Sequence, residues 1–277
     1  MSVSDNRAVR PLAAGDYLRV WRQRRRMSQL EFALEAEISQ RHLSFMESGR
    51  ATPSREMLMR LAERLEVPLR ERNAMLLAGG YAPMFAERSL DDPAMAAARQ
   101  AIDLVLKGHE PFPALVVDRH WNLVAANAAV QPMLAGVTDA SLLEPPVNVL
   151  RLSLHPGGVA PRIANLVEWR AHILDRLRRQ IAVTGDPVLG ELLQELTAYP
   201  ASGAVASLHG GAPADHGGVV VPLELATEAG LLSFFSTTTI FGTPRDITLE
   251  ELALEAFYPA NAETGEALRR LAEAAPR

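Results

Sequence analysis

The sequence contains no cysteine, and this absence excludes several kinds of chemistry. Disulfides, cysteine-ligated zinc fingers, iron–sulfur clusters and thiol nucleophiles all require a residue that the chain lacks. No apolar run approaches the roughly 20 residues needed to span a bilayer. Residues 1–11 are polar and show no signal-peptide pattern, so we expect a cytoplasmic protein that does not associate with membranes.

Charge is distributed unevenly along the 277 residues. Residues 1–80 carry 14 arginines and 10 acidic side chains, a net charge of +4, whereas the rest of the chain has a net charge of −9. The length of the chain and a hydrophobic content of 48% are sufficient for one large domain or for two ordinary domains, with a core in each. The asymmetry favours two domains with different partners, and chance scatter of surface charge is the alternative.

Residues 1–80 show helix signals and almost no strand signal. The pattern predicts five short helices, which begin at Tyr17, Ser28, Ser39, Ser54 and Pro68. Three of these start with a serine that can accept a backbone N–H, and one of the three also has a glutamate three residues later. We therefore expect a compact all-α domain over 1–80, followed by a linker over 81–92 that contains Pro83 and the pair Asp91 and Asp92.

Residues 93–262 are expected to form an α+β domain, with a C-terminal helix or tail over 263–277. After a first helix over 93–107, strand patterns occupy 114–118 and 123–126, and Asn127 is placed as the cap of a following helix. Amphipathic spacing predicts helices over 162–181 and 189–199. A pair of antiparallel strands is expected over 218–225 and 230–241, after a small-residue loop over 201–218, and another helix over 248–256.

The segment from Ser28 to Arg50 carries the strongest functional signal. Its second helix exposes Gln40, Arg41 and Ser44, which is the arrangement of a helix-turn-helix that enters the DNA major groove. Arginine reads guanine with two hydrogen bonds and glutamine reads adenine. Amides near Gln29 can hold phosphate, and the arginines at 22–26 and 50 add attraction to the backbone. A helical bundle with solvated polar faces is the alternative interpretation.

The stretches SQLEFA at 28–33, ISQRHLSFMESGR at 38–50 and TPS at 52–54 resemble the XRE (Cro/C1-type) helix-turn-helix family. The resemblance implies that Gln29 holds phosphate, that Ser39, Gln40 and Arg41 face the bases, that Ser44 and Phe45 lie deeper along the recognition helix, and that Arg50 meets the DNA backbone. Two departures stand out. Glu37 occupies a turn position where the family often has glycine, and Phe45 replaces a residue that is often polar, so it either touches a thymine methyl or packs inward.

The resemblance extends over about 15–262, to XRE regulators with an MmyB-like ligand-binding domain. It is carried by residues 55–83, 114–127, 148–158, 162–165, 232–248 and 255–260. It implies a PAS-like fold, a small lipophilic ligand with fatty acids as the first candidate, and homodimers acting on double-stranded operator DNA. Together with the residue pattern, it predicts an α+β protein in which an all-α helix-turn-helix domain precedes a PAS-like domain.

Aromatic residues are only 5% of the chain, yet several lie close together near its C-terminal part. Candidate apolar contacts to a ligand are Phe234, Phe235, Phe241, Phe257 and Tyr258. Candidate partners for its polar end are His155, Arg162 and Arg170, because arginine binds carboxylates with two hydrogen bonds. The alternative is that the aromatics are ordinary core and that His155 positions its own loop.

Signals of catalysis or of a cofactor are poor. Gly230-Leu-Leu-Ser233-Phe234 lacks the second glycine of a nucleophile elbow, and no phosphate loop or cofactor-attachment motif is present. His209, Asp215 and His216 lie in a loop without a rigid element to hold a metal. We therefore expect a transcription regulator that is not an enzyme and uses no cofactor or metal. The alternatives are a DNA-tethered haem or flavin sensor, a hydrolase, and a ligand-free interaction scaffold.

Overall fold

The computed structural model describes residues 12–200 and 221–274. The chain divides into two compact units. One comprises the chain up to Arg88 together with the short segment Thr243–Glu250, and the other comprises Ser89–Gly242 and Glu251–Arg277. The predicted loop over 201–218 lies outside the described residues.

The first unit contains the five predicted helices of the N-terminal region. They are α1 (Ala14–Arg24), α2 (Gln29–Glu35), α3 (Gln40–Glu47), α4 (Arg55–Arg64) and α5 (Leu69–Ala78). The serine caps are confirmed, because Ser28, Ser39 and Ser54 each accept the backbone N–H of the residue three positions later. Glu31 completes the capping box by accepting the Ser28 amide N–H at 2.7 Å. A common core buries side chains from α1–α4, including Leu18, Trp21, Phe32, Leu43 and Leu61.

All five helices end in the same way. The residue after each C-cap is left-handed, and the next amide N–H bonds the carbonyl five positions back. These residues are Arg26, Glu37, Gly49, Glu66 and Gly80. Glu37 therefore keeps the left-handed turn, with φ 56°, although it lacks the conformational freedom of the glycine that is frequent at this position in the helix-turn-helix proteins the segment resembles.

The second unit is built on one antiparallel sheet. Its strands are β1 (Ala114–Val117), β2 (Leu123–Ala126), β3 (Leu223–Thr227), β4 (Gly230–Ile240) and β5 (Ala253–Pro259), in the order β2-β1-β5-β4-β3. Its helices are α6 (Ala96–His109), α7 (Val149–Leu154), α8 (Leu166–Thr184), α9 (Pro187–Ala198) and α11 (Ala262–Ala274), and the short α10 (Ile247–Glu250) lies in the first unit. The α+β class expected for this region is confirmed.

The prediction of a helix over 248–256 was wrong. Only Ile247–Glu250 is helical, and Ala253–Pro259 forms the central strand of the sheet. Leu254 pairs with Val116 on one side and with Thr239 on the other. Hydrogen bonds to two neighbouring strands therefore override a local pattern that favours a helix.

Two other local predictions also needed correction. The Asn127 side chain does not cap the following 3₁₀ helix; it bonds the Ala114 amide and the carbonyls of Leu106 and Phe112 instead. Helix α8 begins later than predicted, because Ile163 pairs with Leu225 as an isolated bridge. The core of this unit packs α7, α8 and α9 against the sheet.

Candidate functional site

In the first unit, a tight turn joins α2 to α3 and leaves one face of α3 exposed. The Ser39 hydroxyl accepts the His42 N–H at 3.1 Å, which caps the helix. Gln40, Arg41 and His42 are exposed in its first turn, whereas Leu43 and Met46 are buried. In a helix-turn-helix, the N-terminal end of the second helix enters the DNA major groove. The corresponding end of α3 carries exposed polar side chains. His42 was not among the predicted contacts, although its place beside Arg41 is visible in the sequence.

Phe45 lies between two arginines on this face. The Arg41 guanidinium lies over its ring at 5.3 Å from the centroid, and that of Arg50 at 5.9 Å. The ring is half-buried, so it neither enters the core completely nor stands free in solvent. Cation–π attraction at this range holds both guanidinium groups near the surface of α3. Ser44, next to Phe45 in the chain, is also half-buried.

A buried ion pair orients α2 and α3 on α1. Arg22 Nε and Nη2 donate to Glu47 at 2.6 and 2.9 Å, and Gln29 Nε2 donates to the same carboxylate at 2.8 Å. Both charged residues are less than a tenth exposed. Hydrogen bonding to Glu47 raises the pKa of Arg22, against the opposing effect of burial. The network ties the first turn of α2 to the last turn of α3.

The arginine run at 22–26 therefore does not act as a single basic patch. Arg22 is in the ion pair, and Arg25 donates to the carbonyls of Leu65 and Glu66. Arg24 lies over the Trp21 ring at 4.8 Å. Fewer of these charges are available to DNA than the sequence suggested, and Arg26 is the arginine of the run that is exposed rather than partly or fully buried.

The second unit encloses a cavity of about 560 Å³. Every strand of the sheet contributes to the lining: β1 to β4 contribute one residue each, namely Leu115, Leu123, Leu223 and Ser236, and β5 contributes Glu255 and Phe257. The remaining lining residues come from α7, α8 and the connecting segments. Most are apolar, namely Trp121, Val130, Met133, Leu134, Ala135, Leu143, Val147, Val149, Leu150, Leu152, Val159, Ile163, Trp169 and Ile173, and the polar ones are Gln131, Ser153, His172 and Arg176. Its size is within the range of about 300–1,000 Å³ that is typical of small-molecule sites.

One end of this cavity is polar. Arg176 on α8 donates to both oxygens of Glu255 on β5, at 3.0 and 2.6 Å, and its guanidinium lies 4.5 Å from the centroid of the Trp121 ring. His172, one turn earlier on α8, stacks on Trp169. Burial lowers the pKa of His172, and the charges of Arg176 and Arg179 lower it further. These effects favour the neutral form of the imidazole.

Comparison with known families identifies the second unit. Residues 98–271 match the MmyB-like transcription regulator ligand binding domain, which is more than half of the chain. The chain belongs to this family. Residues 18–72 match a helix-turn-helix family, which includes α2 and α3. The protein is thus a ligand-responsive transcription regulator with a helix-turn-helix DNA-binding domain. None of the curated proteins searched matches the chain significantly.

Of the eight candidate ligand contacts named from the sequence of this regulator, Phe257 lines the cavity, and the other seven are not among the described residues that line it. Neighbouring residues of a strand point to opposite faces of a sheet, so Ser236 and Phe257 face the cavity while Phe235 and Tyr258 stack on each other at 5.2 Å. Phe234 is buried in the core, against Phe257. Phe241 follows the end of β4 and is partly exposed.

The three predicted polar contacts have structural roles instead. Arg162 donates to the carbonyls of Met133, Ala135 and Ala226, and Arg170 donates to the Thr197 carbonyl at 2.7 Å. His155 accepts the Gly157 N–H at 3.0 Å, which is the loop-positioning alternative. Arg176, His172 and Glu255 were missed, because no local pattern indicates that positions 176 and 255 meet.

Within residues 12–200 and 221–274, no helix is long and apolar enough to cross a membrane. In the same residues no three His, Asp or Glu side chains are grouped so that they would hold a metal ion. His209, Asp215 and His216, considered above as metal ligands, lie outside the described part of the chain.

Proposed function

We propose that this regulator binds a specific operator as a homodimer and that a small lipophilic ligand, with a fatty acid as the first candidate, changes its affinity for DNA. The observation that carries the proposal is the cavity of about 560 Å³ with its mainly apolar lining, inside a domain of a ligand-binding family. The domain would act as a PAS-like sensor. Ligand changes DNA affinity only if it binds two states of the protein unequally.

The DNA contacts are proposed to divide into two kinds. Arg41 and Gln40, exposed at the start of α3, would read base edges. Arg50, whose guanidinium also packs on the Phe45 ring, would bind phosphate, as would Gln29 at the start of α2. Ser39, Ser44 and Phe45 would complete the surface, with the Phe45 ring supporting both arginines.

Arg41→Ala tests the base-reading role. We expect the substitution to weaken binding to the preferred operator by about 1–3 kcal/mol and to relax the preference at one base position in each half-site. Competition binding against an operator library, with every base pair varied, measures both effects.

Arg50→Ala is the matched control, because it removes the other guanidinium that packs on Phe45. It should weaken binding to all sequences equally and reduce the dependence of affinity on salt concentration. An equal loss on all sequences in Arg41→Ala would contradict the base-reading role of that residue.

The ligand proposal is tested by extracting the purified protein with organic solvent and analysing the extract by mass spectrometry. We expect a lipophilic molecule in stoichiometric amount. Adding that molecule back to the delipidated protein should then shift its operator affinity. A cavity that is empty after every preparation and unresponsive to added lipids would favour a protein-interaction scaffold instead.

A further inference from the structure

The polar end of the cavity is a closed ion pair. Both terminal nitrogens of the Arg176 guanidinium donate hydrogen bonds to Glu255, and Nη2 also donates to the Thr238 hydroxyl at 2.7 Å. The Thr238 hydroxyl in turn donates to Glu255 at 2.9 Å. The Glu255 side chain is only 5% exposed, so this carboxylate lines the cavity beside its counter-ion but is shielded from bulk solvent.

The charges at this end cancel. Arg176 and Glu255 are the oppositely charged partners among the described residues that line the cavity, and burial favours the neutral form of His172. The nearby pair of Arg179 and Asp175, 2.9 Å apart, is more than half exposed and neutralises itself. Among the described residues that line the cavity, a ligand therefore meets no cation that lacks a neighbouring anion.

A carboxylate anion fits this end poorly. To reach the Arg176 guanidinium it would have to share it with Glu255, and two carboxylates at one cation repel each other. It would also leave water for an apolar cavity without gaining a counter-ion, and burying an unpaired charge is strongly unfavourable. The Arg176–Glu255 pair therefore disfavours the binding of an ionised fatty acid, although Arg176 is the group that could bind its carboxylate.

An uncharged polar head group fits better. A hydroxyl can donate to Glu255, and an ester or alcohol oxygen can accept hydrogen bonds from Ser236 or His172, which also line the cavity. Transfer of a hydroxyl or an ester from water into the cavity loses much less hydration free energy than transfer of an ion. Their alkyl chain would occupy the apolar remainder of the cavity.

We infer that the regulator recognises lipophilic molecules with an uncharged hydroxyl or ester head group, such as fatty alcohols and fatty-acid esters, in preference to fatty-acid anions. The inference rests on the proposed function, because it assigns the head group of the lipophilic ligand, and it replaces the fatty acid named there as first candidate with uncharged derivatives of the same chain. Glu255 is the specificity-determining residue.

Three ligands of equal chain length test the assignment: dodecanol, methyl dodecanoate and dodecanoate. Binding to the delipidated full chain is measured by calorimetry at about pH 8, where the free acid is ionised. We expect the alcohol and the ester to bind at least about tenfold more tightly than the anion, the discrimination that one unpaired buried group produces. An anion that binds as tightly as the alcohol overturns the inference and leaves the lipophilic sensor intact. Failure of all three to bind overturns the proposed function itself.

Glu255→Gln sharpens the test, because it removes the anion and leaves the shape of the side chain. Arg176 then lacks a counter-ion, so we expect dodecanoate to bind about tenfold more tightly than to the unchanged protein. The alcohol should change much less. Thermal unfolding of the variant verifies that it is folded. If it is not folded, the order of the three ligand affinities in the unchanged protein still tests the inference.

Glu195→Gln is the matched control. Glu195 forms a similar two-point pair with Arg151, at 2.8 and 3.0 Å from Nε, and neither residue lines the cavity. This variant should keep the ligand ranking of the unchanged protein. A gain in dodecanoate affinity in both variants would show that the effect is not due to the cavity pair, and would contradict the role of Glu255.

Discussion

His172 shows how the cavity controls a single residue. Its ring stacks on Trp169, at 5.6 Å between centroids. Burial lowers its pKa, the positive charges of Arg176 and Arg179 act in the same direction, and the negative charges of Asp175 and Glu255 oppose them. The folded protein therefore binds a proton at this ring less readily than the unfolded chain does.

This shift predicts a pH dependence of stability. The unfolded imidazole has a pKa near 6.5, so the folded state loses stability as the pH falls through about 6.5 toward the lower pKa of the native ring. His172→Gln should flatten the dependence of the unfolding free energy on pH between about 7.5 and 5.5. Urea unfolding at several pH values, followed by tryptophan fluorescence, measures the slopes. Parallel slopes for the two proteins would contradict the assignment.

At the scale of elements, the helix ends of the first unit combine a regular motif with strained residues. The left-handed position is glycine after α3 and α5 but Arg26, Glu37 and Glu66 after α1, α2 and α4. A side chain at such a position costs roughly 1–2 kcal/mol. The three turns persist because the amides after them bond helix carbonyls, at 3.1 Å for Met27 and 2.9 Å for Ile38 and Val67.

Glu37→Gly is therefore expected to stabilise the protein. Relief of the strained φ exceeds the extra freedom that glycine adds to the unfolded chain, and the net gain should be up to about 1 kcal/mol. Thermal unfolding measures it. Glu63→Gly, an exposed position inside α4, is the control and should destabilise by about 1 kcal/mol. A loss of stability in Glu37→Gly would show that its side chain makes a favourable contact in the turn.

At the scale of the whole molecule, the chain between β4 and β5 leaves one unit and returns to it. The segment Thr243–Glu250 belongs to the helical unit. Within that unit, Asp246 pairs with Arg88 at 2.8 Å, the Thr248 hydroxyl donates to the Arg88 carbonyl, and Glu250 accepts the Leu69 N–H at the start of α5. The strands on either side carry Ser236, Glu255 and Phe257 of the cavity lining.

This connection predicts how ligand binding reaches the DNA-binding unit. If the segment carries the coupling, Asp246→Ala should leave ligand affinity unchanged. It should reduce severalfold the change in operator affinity that the ligand causes. The coupling free energy between two such sites is typically about 1–3 kcal/mol. Operator titrations with and without ligand measure it. Asp103→Ala, an exposed acidic residue on α6, is the control. If the ligand changes operator affinity equally in the unchanged protein and in both variants, the segment Thr243–Glu250 does not carry the coupling.

The sequence by itself determined the features whose partners are close along the chain. Capping serines act on amides three residues away, so the starts of α2, α3 and α4, the helix-turn-helix and the exposure of Arg41 were predictable, whereas α1 begins at Ala14, three residues before the predicted Tyr17. The class of the second unit was predictable from alternating and helical spacing, and from the resemblance of stretches spread over the chain.

Tertiary structure alone decided which residues meet across long separations. Ala253–Pro259 became a strand because β1 and β4 supply its hydrogen-bond partners. The faces of β4 and β5 determined that Phe257 and Ser236, rather than Tyr258 and Phe235, line the cavity. Arg176 and Glu255 lie 79 positions apart and meet only because α8 packs beside β5, which is why the polar end of the cavity was not visible in the sequence.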